Sequence, residues 1–441
     1  MNKKKKLAKL FFSSIKRNCK LIFENIDNLI TDVRDSDRIR YSVKDIIMTT
    51  LLMFITKTKA RKNMNKKFDN QNIIDSINKF NSSDLNRLPH SDTNENFYKN
   101  VNVEELQELL HLMNANIIRN KKFKPRDLLL GEYYMISIDM TRTQKFCEKV
   151  NDEVLWEEKK GIRYYYNAVV EAKFVFRNRM CIPVLSEFLE NSDAVDGKFI
   201  KQDCEIKAAY RLILRLKKMF PRLNICLLFD GLYPNETIFS LCKEAGFKYI
   251  MSFPEDKIPS LFNQFKEFKK NDNLEQKKKS ISYDINQRAY FQNDFDYRGY
   301  SINMVEVREY SKKGLKYKNI FLTNIPIESD TVFKIIEGGR LRWKIEHSFN
   351  RDKNLALYIE HAYSYNRNSL KAYHILMQIT DWILTFMIYL YNDNGESFIY
   401  KDFETLTDFF NYIYTSFVAD IVTLEDMDSL KYAILIEPKS A

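Results

Sequence analysis

The chain has 441 residues, of which 29% are charged and 45% hydrophobic, and its formal net charge is +11. This length can bury a large core in about two or three structural units, and the scarcity of Gly and Pro excludes a low-complexity chain. The excess of Lys and Arg fits a polyanionic partner such as DNA or RNA, but a solvated basic surface explains the composition as well.

The cysteines and the apolar runs bear on the cellular compartment. The six cysteines are scattered and show no spacing typical of a zinc site, so we expect reduced thiols in a cytoplasmic protein. The longest apolar run, His374–Tyr391, contains Gln378 and Asp381. These polar positions favour a core helix over a membrane span, and we expect no membrane partner.

The first 125 residues have helical patterns. Residues 1–20 carry eight basic residues and no acidic one. Ser42 and Asp45 form the sequence signature of a capping box before Val43–Ile55, and Asn102 is placed to cap a second helix. We predict a helical region over residues 1–125 and favour DNA binding as its role, with bracing of the core as the alternative.

Strand patterns begin after this region. Tyr133–Ile138 predicts a strand with Asp139 at its end, and Tyr164–Phe176 with Met180–Leu185 predicts a hairpin. The apolar run Asn224–Phe229 is typical of a strand in the middle of a sheet, and it is followed by Asp230.

Helices are predicted between these strands. Asp203 is expected to cap an amphipathic helix that ends at Pro221. Asn235 is expected to cap the next helix and Gly246 to close it, before a strand over Phe247–Phe253. This alternation predicts a mixed α/β sheet, so that residues 126–253 and 319–365 form one core.

The remaining regions interrupt or follow that core. Residues 254–318 are predicted as a β-rich insertion with strands at Ile281–Ile285 and Tyr300–Arg308. Helical sequence opens at Ser329 or Asp330, and Gly338 and Gly339 are expected to interrupt it. Residues 366–441 are predicted as a C-terminal helical region.

The stretch from Leu341 to Lys353 carries the strongest chemical signal. On a helix, Arg342, Glu346 and Lys353 project within roughly 40° of one another, and Phe349 indicates that this face is turned inward. A buried carboxylate between two cations is costly unless it has a partner or a chemical role.

Two aspartates complete a possible metal site with Glu346. Asp139 and Asp230 each follow a strand pattern, and three carboxylates from separate elements are a typical site for divalent metal in phosphoryl transfer. The alternative is that both aspartates are strand-end or turn residues, and that the two cations simply form ion pairs with Glu346. We favour catalysis for the three carboxylates together.

Several other residues are explained better by structural roles than by a place in the site. Asp203 is explained better as a helix cap, and Glu205 as a first-turn partner of the helix dipole. Trp343 is expected to pack more than to stack on a base. The imidazoles of His347 and His361 are more often structural than ligands, and Glu187 is a further rival carboxylate.

These residues resemble the DDE transposases of bacterial insertion sequences. Asp139, Asp230 and Glu346 are similar to their acidic triad, and Arg342-x3-Glu346-x6-Lys353 resembles the branch with the signature Y-x2-R-x3-E-x6-K, where Gly339 occupies the Tyr position. Further blocks resemble the same proteins, over about residues 30–390: Lys201–Glu205 with Ala208-Ala209-x-Arg211, Asp230–Tyr233 and Glu360–Tyr363.

The resemblance implies a ribonuclease H-like fold and cleavage and joining of double-stranded DNA at element ends. It implies Mg²⁺ or Mn²⁺ held by Asp139, Asp230 and Glu346, DNA contacts from Arg342 and Lys353, and a homodimer in the synaptic complex. Two alternatives stay open at this point: a transposase-derived DNA-binding protein that has lost its chemistry, which only Gly339 in place of the signature Tyr favours, and a metal-dependent nuclease without strand transfer.

Overall fold

In a computed structural model, the protein is a mixed α/β structure with helices at both ends, as the sequence predicts. The structure describes residues 3–191, 202–271, 274–282, 284–389 and 403–428. Its strands are β1 (Tyr134–Phe146), β2 (Leu155–Lys159), β3 (Ile162–Val175), β4 (Cys181–Leu189), β5 (Ile225–Phe229), β6 (Lys248–Ser252), β7 (Glu275–Ser282), β8 (Ile285–Tyr297), β9 (Tyr300–Ser311) and β10 (Gly314–Thr323).

The helices lie before, between and after these strands. They are α1 (Lys3–Glu24), α2 (Ile26–Leu29), α3 (Val43–Ile55), α4 (Arg61–Lys67), α5 (Gln71–Asn81), α6 (Ser91–Tyr98), α7 (Val103–Arg119), α8 (Glu205–Met219), α9 (Glu236–Ala245), α10 (Pro259–Lys270), α11 (Val332–Leu341), α12 (Trp343–Arg351), α13 (Arg367–Ile388), α14 (Leu406–Ala419) and α15 (Leu424–Asp428). A π-helical segment, Asp352–Ala356, continues α12.

The described strands form one mixed sheet in the order β2-β3-β1-β5-β6-β10-β9-β8-β7, with β4 paired to β3 beside β2. The short strand β5 lies in the middle and pairs in parallel with both β1 and β6. All five of its residues are buried, which confirms the prediction of a central strand that ends at Asp230.

Several local predictions are confirmed by the hydrogen bonds of the structure. Ser42 and Asp45 form the capping box of α3, Asn102 caps α7 and Asn235 caps α9. Gly246 ends α9 with a φ of +71°, a left-handed conformation that favours glycine. The hairpin β3-β4 turns at residues 177–179, as predicted.

The terminal helices pack together and against the hairpin strand β4. Helix α13, predicted as a core helix, contacts β4 as well as α1, α3 and α7. Helix α1 also packs on α14 and α15, and its Lys16 pairs with Asp428 at 2.8 Å. None of the described helices is both long enough and apolar enough to span a bilayer.

Three sequence-based boundaries are wrong. Strand β1 continues seven residues beyond Asp139, because its second half pairs with β3 in a ribbon that extends past the central strands. The predicted strand Ile281–Ile285 spans the connection between β7 and β8. Asp203 does not cap α8, whose N-cap is Cys204, because its carboxylate pairs with Arg211 at 2.8 Å. The boundaries between the predicted regions stay predictions.

The pair Gly338 and Gly339 does not interrupt the helix. Both glycines lie inside α11, which ends only at Leu341. A Cβ at Gly339 would lie 2.6 and 2.8 Å from ring carbons of Phe321, whereas a Cβ at Gly338 would meet the terminal methyl carbons of Ile250 and Leu129 at 3.1 Å. The glycines therefore allow α11 to lie directly on the sheet, and a tyrosine at position 339 has no room.

We expect Gly339→Ala to lower the free energy of unfolding by about 1–2 kcal/mol, because overpacking against the buried Phe321 ring outweighs the better helix propensity of Ala. Gly338→Ala is the matched control, since the methyl groups that it meets can move, and it should be close to neutral. Chemical denaturation of both variants tests this, and equal stabilities would contradict the packing argument.

Candidate active site

Two aspartates lie side by side at one end of the central strands. The parallel register pairs Ser137 of β1 with Leu228 of β5. Two residues further along, the same register places Asp139 level with Asp230, on strands about 4.8 Å apart. Asp230 begins a tight turn in which its Oδ1 accepts the Leu232 amide at 2.7 Å. The structure thus brings together the first two predicted residues.

Glu346 reaches the same place from α12. The chain bends at Arg342, which ends α11 and begins α12, and the Arg342 carbonyl accepts the Ser137 hydroxyl at 3.2 Å. The Arg342 Nη1 lies 2.7 Å from Glu346 Oε1 and 3.8 Å from Asp139 Oδ2. The guanidinium therefore stands between two of the predicted carboxylates.

The Asp139 carboxyl is strongly perturbed. Its side chain is 15% exposed, and burial together with the negative charges of Glu205, Asp230 and Glu346 raises its pKa to about 7, despite the opposing charge of Arg342. A buried site with several like charges stores electrostatic free energy that a cation would release.

Glu205, which the sequence patterns leave out of the site, carries a further negative charge that acts on Asp139. It is the first residue of α8, and its Oε1 accepts the Tyr233 hydroxyl at 2.7 Å. Burial is the main cause that raises its pKa, and the hydrogen bond from Tyr233 opposes this shift. The sequence signal for this residue is its place in the block Lys201–Glu205. From the sequence, Glu205 is explained only as a partner of the helix dipole.

Lys353 does not join this cluster. It lies in the π-helical segment, where the α-helical spacing behind the calculated 40° alignment with Glu346 no longer applies. Its Nζ pairs instead with Glu360 Oε1 at 3.3 Å and is partly exposed. Phe349 is buried, as predicted.

The structure also shows the contacts and exposure of the other residues considered from the sequence. Trp343 is 53% exposed, and the Arg342 guanidinium lies over its ring at 4.7 Å from the centroid, so its packing is a surface contact with this side chain. Glu187 forms ion pairs with Arg211 and Arg215 at 2.6 and 2.7 Å. His347 and His361 are both exposed.

A buried ammonium fixes α12 on the sheet. Lys173 of β3 is fully buried, and its Nζ contacts Ser348 Oγ at 2.9 Å and the carboxylates of Glu171, Asp352 and Asp381 at 3.2–3.3 Å. Burial alone would lower the pKa of Lys173, but the three carboxylates raise it. Because these partners belong to β3, α12, the π-helical segment and α13, one side chain holds the helix that carries Glu346.

The donor chemistry of the acidic cluster suits a divalent cation, but its present spacing does not form a metal site. Carboxylate oxygens are the ligands that Mg²⁺ and Mn²⁺ prefer. Within the described ranges, however, no group of three or more His, Cys, Asp or Glu residues could hold a metal ion. The Arg342 side chain provides a physical reason, because its positive charge stands between Asp139 and Glu346.

We expect Asp139→Asn to stabilise the protein in metal-free buffer, increasingly so as the pH rises from about 4 to 7. The native state holds a proton on Asp139 in this range and the unfolded state does not. The free energy of unfolding of the wild type therefore falls as the pH rises, by an amount on the order of 4 kcal/mol. Melting temperatures with EDTA test this, with the exposed Asp256→Asn as control. Parallel pH profiles for wild type and Asp139→Asn would contradict it.

Comparison with known proteins gives one family. Residues 202–380, about two fifths of the chain, match the model of the family described as Transposase DDE domain. The match includes Glu205, Asp230, Arg342 and Glu346, whereas Asp139 lies before it. A search of curated proteins finds no match. The family match supports a DDE-type transposase.

Proposed function

We propose that this protein is a transposase of a bacterial insertion sequence, from the branch with the Y-x2-R-x3-E-x6-K signature, which cuts and joins DNA at the element ends. The observation that carries the proposal is geometric: Asp139 lies level with Asp230 on paired strands, and the Arg342 guanidinium connects Asp139 with Glu346. The mixed sheet, in which β1 and β5 present the two aspartates and a later helix presents the glutamate, supports a ribonuclease H-like core.

Asp139, Asp230 and Glu346 would hold Mg²⁺ or Mn²⁺. When bound, such ions lower the pKa of a water or 3′-hydroxyl nucleophile and stabilise the leaving oxygen at phosphorus. The carboxylates of this chain can close on a cation only if the Arg342 guanidinium leaves its place between Asp139 and Glu346.

Arg342 and Lys353 would contact the DNA backbone. A phosphate entering the site offers the Arg342 fork an alternative anionic partner to Glu346, and a planar guanidinium suits two phosphate oxygens at once. Lys353 lies apart from the acidic cluster and is partly exposed, so its contact would be with a phosphate further along the strand.

Duplex DNA is the proposed partner, with the basic helical region 1–125 as a second contact surface and a homodimer as the synaptic form. The net charge of +11 supports an electrostatic contribution to binding.

The alternative of a transposase-derived protein without chemistry rests on Gly339. Because Gly339 packs against Phe321 under α11, its presence reflects the packing of this helix and does not favour lost activity.

We expect Glu346→Gln to lower cleavage of an element-end duplex in Mg²⁺ or Mn²⁺ by roughly 100-fold or more, because an amide replaces a metal-ligating carboxylate. DNA binding should persist or tighten, since a negative charge near the phosphates is removed. The matched control is Glu337→Gln on the exposed side of α11, where the carboxylate pairs with Arg177. Undiminished cleavage by Glu346→Gln would show that the active site is elsewhere.

We expect Arg342→Ala to weaken engagement of the cleaved strand, because the phosphate loses a guanidinium partner. The affinity of the Arg342→Ala protein for Mn²⁺ should be equal to or higher than that of the wild type, because a competing positive charge is lost. Cleavage kinetics and Mn²⁺ titration on the same preparation separate the two effects. A loss of Mn²⁺ affinity would argue against Arg342 as a DNA contact.

We expect the affinity for duplex DNA to fall linearly with the logarithm of salt concentration, with a slope of about −0.9 for each phosphate neutralised. Fluorescence anisotropy across a salt series measures this slope. An affinity that does not change with salt would remove DNA from the proposal.

A further inference from the structure

Four cationic side chains form a row across the outer strands of the sheet. Lys318 of β10 lies opposite Arg308 of β9, which in turn lies opposite Arg288 of β8. Arg288 lies opposite Lys278 of β7. Residues directly opposite each other in antiparallel strands project on the same face, so the four cations share one face. Because neighbouring strands are about 4.8 Å apart, this row, here called the cationic ladder, is about 14 Å long.

Nearby carboxylates balance only part of the charge of the ladder. Arg308 pairs with the buried Glu306, which also pairs with Lys269 of α10. Lys318 lies 3.4 Å from the exposed Glu255. The members of the ladder on β8 and β7 are both exposed, and neither forms an ion pair with a residue that the structure describes. Five cations therefore stand against two carboxylates on this face.

The position of the cations within the sheet points to an anionic partner. Like charges directly opposite one another on neighbouring strands destabilise a sheet. Lysines on an edge strand also prevent pairing with another sheet edge, and this explains the cations of β7. It does not explain Arg288 and Arg308, because β8 and β9 are interior strands. An anion that bridges neighbouring cations accounts for the whole row.

The ladder lies near the end of the central strands that carries the two aspartates. The strand registers place Asp230 level with Ser252 of β6 and Phe321 of β10. Lys318 lies about 10 Å further in the same direction, and β10 lies two strands, again about 10 Å, from β5. The ladder occupies the face on which α10 packs, opposite α11. A duplex that crosses this end of the sheet can therefore continue onto the ladder.

We propose that the cationic ladder binds the phosphate backbone of the duplex DNA that is bound at Asp139 and Asp230. This inference rests on the proposed function, and it adds a contact surface on the outer strands to those already proposed. Successive phosphates of one strand are separated by about 3.4 Å along the helix axis, so a row about 14 Å long can neutralise several of them. Arg288 and Lys278, which lack ion pairs, would contribute most to this binding.

The test compares two double variants that remove the same charge from opposite faces of the sheet. The ladder variant combines Lys278→Gln with Arg288→Gln. The matched control combines Lys277→Gln with Lys279→Gln on the same edge strand, where alternate residues project on the other face. The ammonium of Lys279 lies over the Phe333 ring of α11, 5.7 Å from its centroid, which places it on that other face.

The measurement is the affinity of the full chain for a fluorescent element-end duplex across a salt series. We expect the ladder variant to reduce the slope of log affinity against log salt by about 1.8, because two phosphate contacts of about 0.9 each are lost. Its affinity at physiological salt should fall about tenfold or more. The control should change the slope by less than half as much. Equal changes of slope in the two variants would overturn the proposal.

The wild-type protein separates this inference from the proposed function. If the wild type binds the duplex with a salt-dependent affinity and the two variants lose equal slope, the ladder is not a DNA contact and the proposed function stands. If the wild-type affinity does not depend on salt, both fail. Melting temperatures check the fold, and the single variants Lys278→Gln and Lys277→Gln replace the double variants in the same comparison if either double variant is unstable.

Discussion

The ammonium group of Lys173 is the interaction on which the arrangement of this site depends. It is fully buried, and an isolated charge there would cost several kcal/mol. Its carboxylate partners repay that cost only while β3, the π-helical segment and α13 stay together, and Arg351 forms ion pairs with Asp352 and Asp381 from the other side. Since Ser348 of α12 also accepts a hydrogen bond from Lys173, the position of Glu346 above β1 follows from this network.

The two charged clusters differ in how completely their charges are balanced. Around Lys173 every carboxylate has a cationic or hydrogen-bonding partner within 3.3 Å. The Asp139 and Glu346 carboxylates share one guanidinium, and the pKa of Asp139 rises to about 7. The balanced cluster stabilises the fold, whereas the unbalanced one costs free energy in the free protein, as expected of a site that binds a cation or a polyanion.

Close packing connects the two parts of the sheet to the site. Helix α11 lies on the buried residues of β5, β6 and β9, and the absence of a Cβ at Gly339 lets it approach the ring of Phe321. Because α11 leads directly into Arg342 and α12, its height above the sheet also sets where Arg342 and Glu346 lie. A glycine that reads in the sequence as a missing functional residue is thus explained by packing.

Features that depend on local interactions follow from the sequence. The caps at Ser42, Asn102 and Asn235, the buried strand before Asp230 and the turn of the β3-β4 hairpin follow from hydrogen bonding and periodicity within a few residues. The acidic residues were also selected from the sequence, through their positions and the family they resemble.

Features that depend on contacts between distant segments become visible only in the folded chain. The π-helical segment separates Lys353 from Glu346, and the pairing of β1 with β3 extends the strand past Asp139. The Glu205 carboxylate is held by Tyr233, 28 positions away in sequence. A charged residue at the start of an isolated helix is explained well enough by the helix dipole, so its hydrogen bond with Tyr233 becomes visible only in the folded chain.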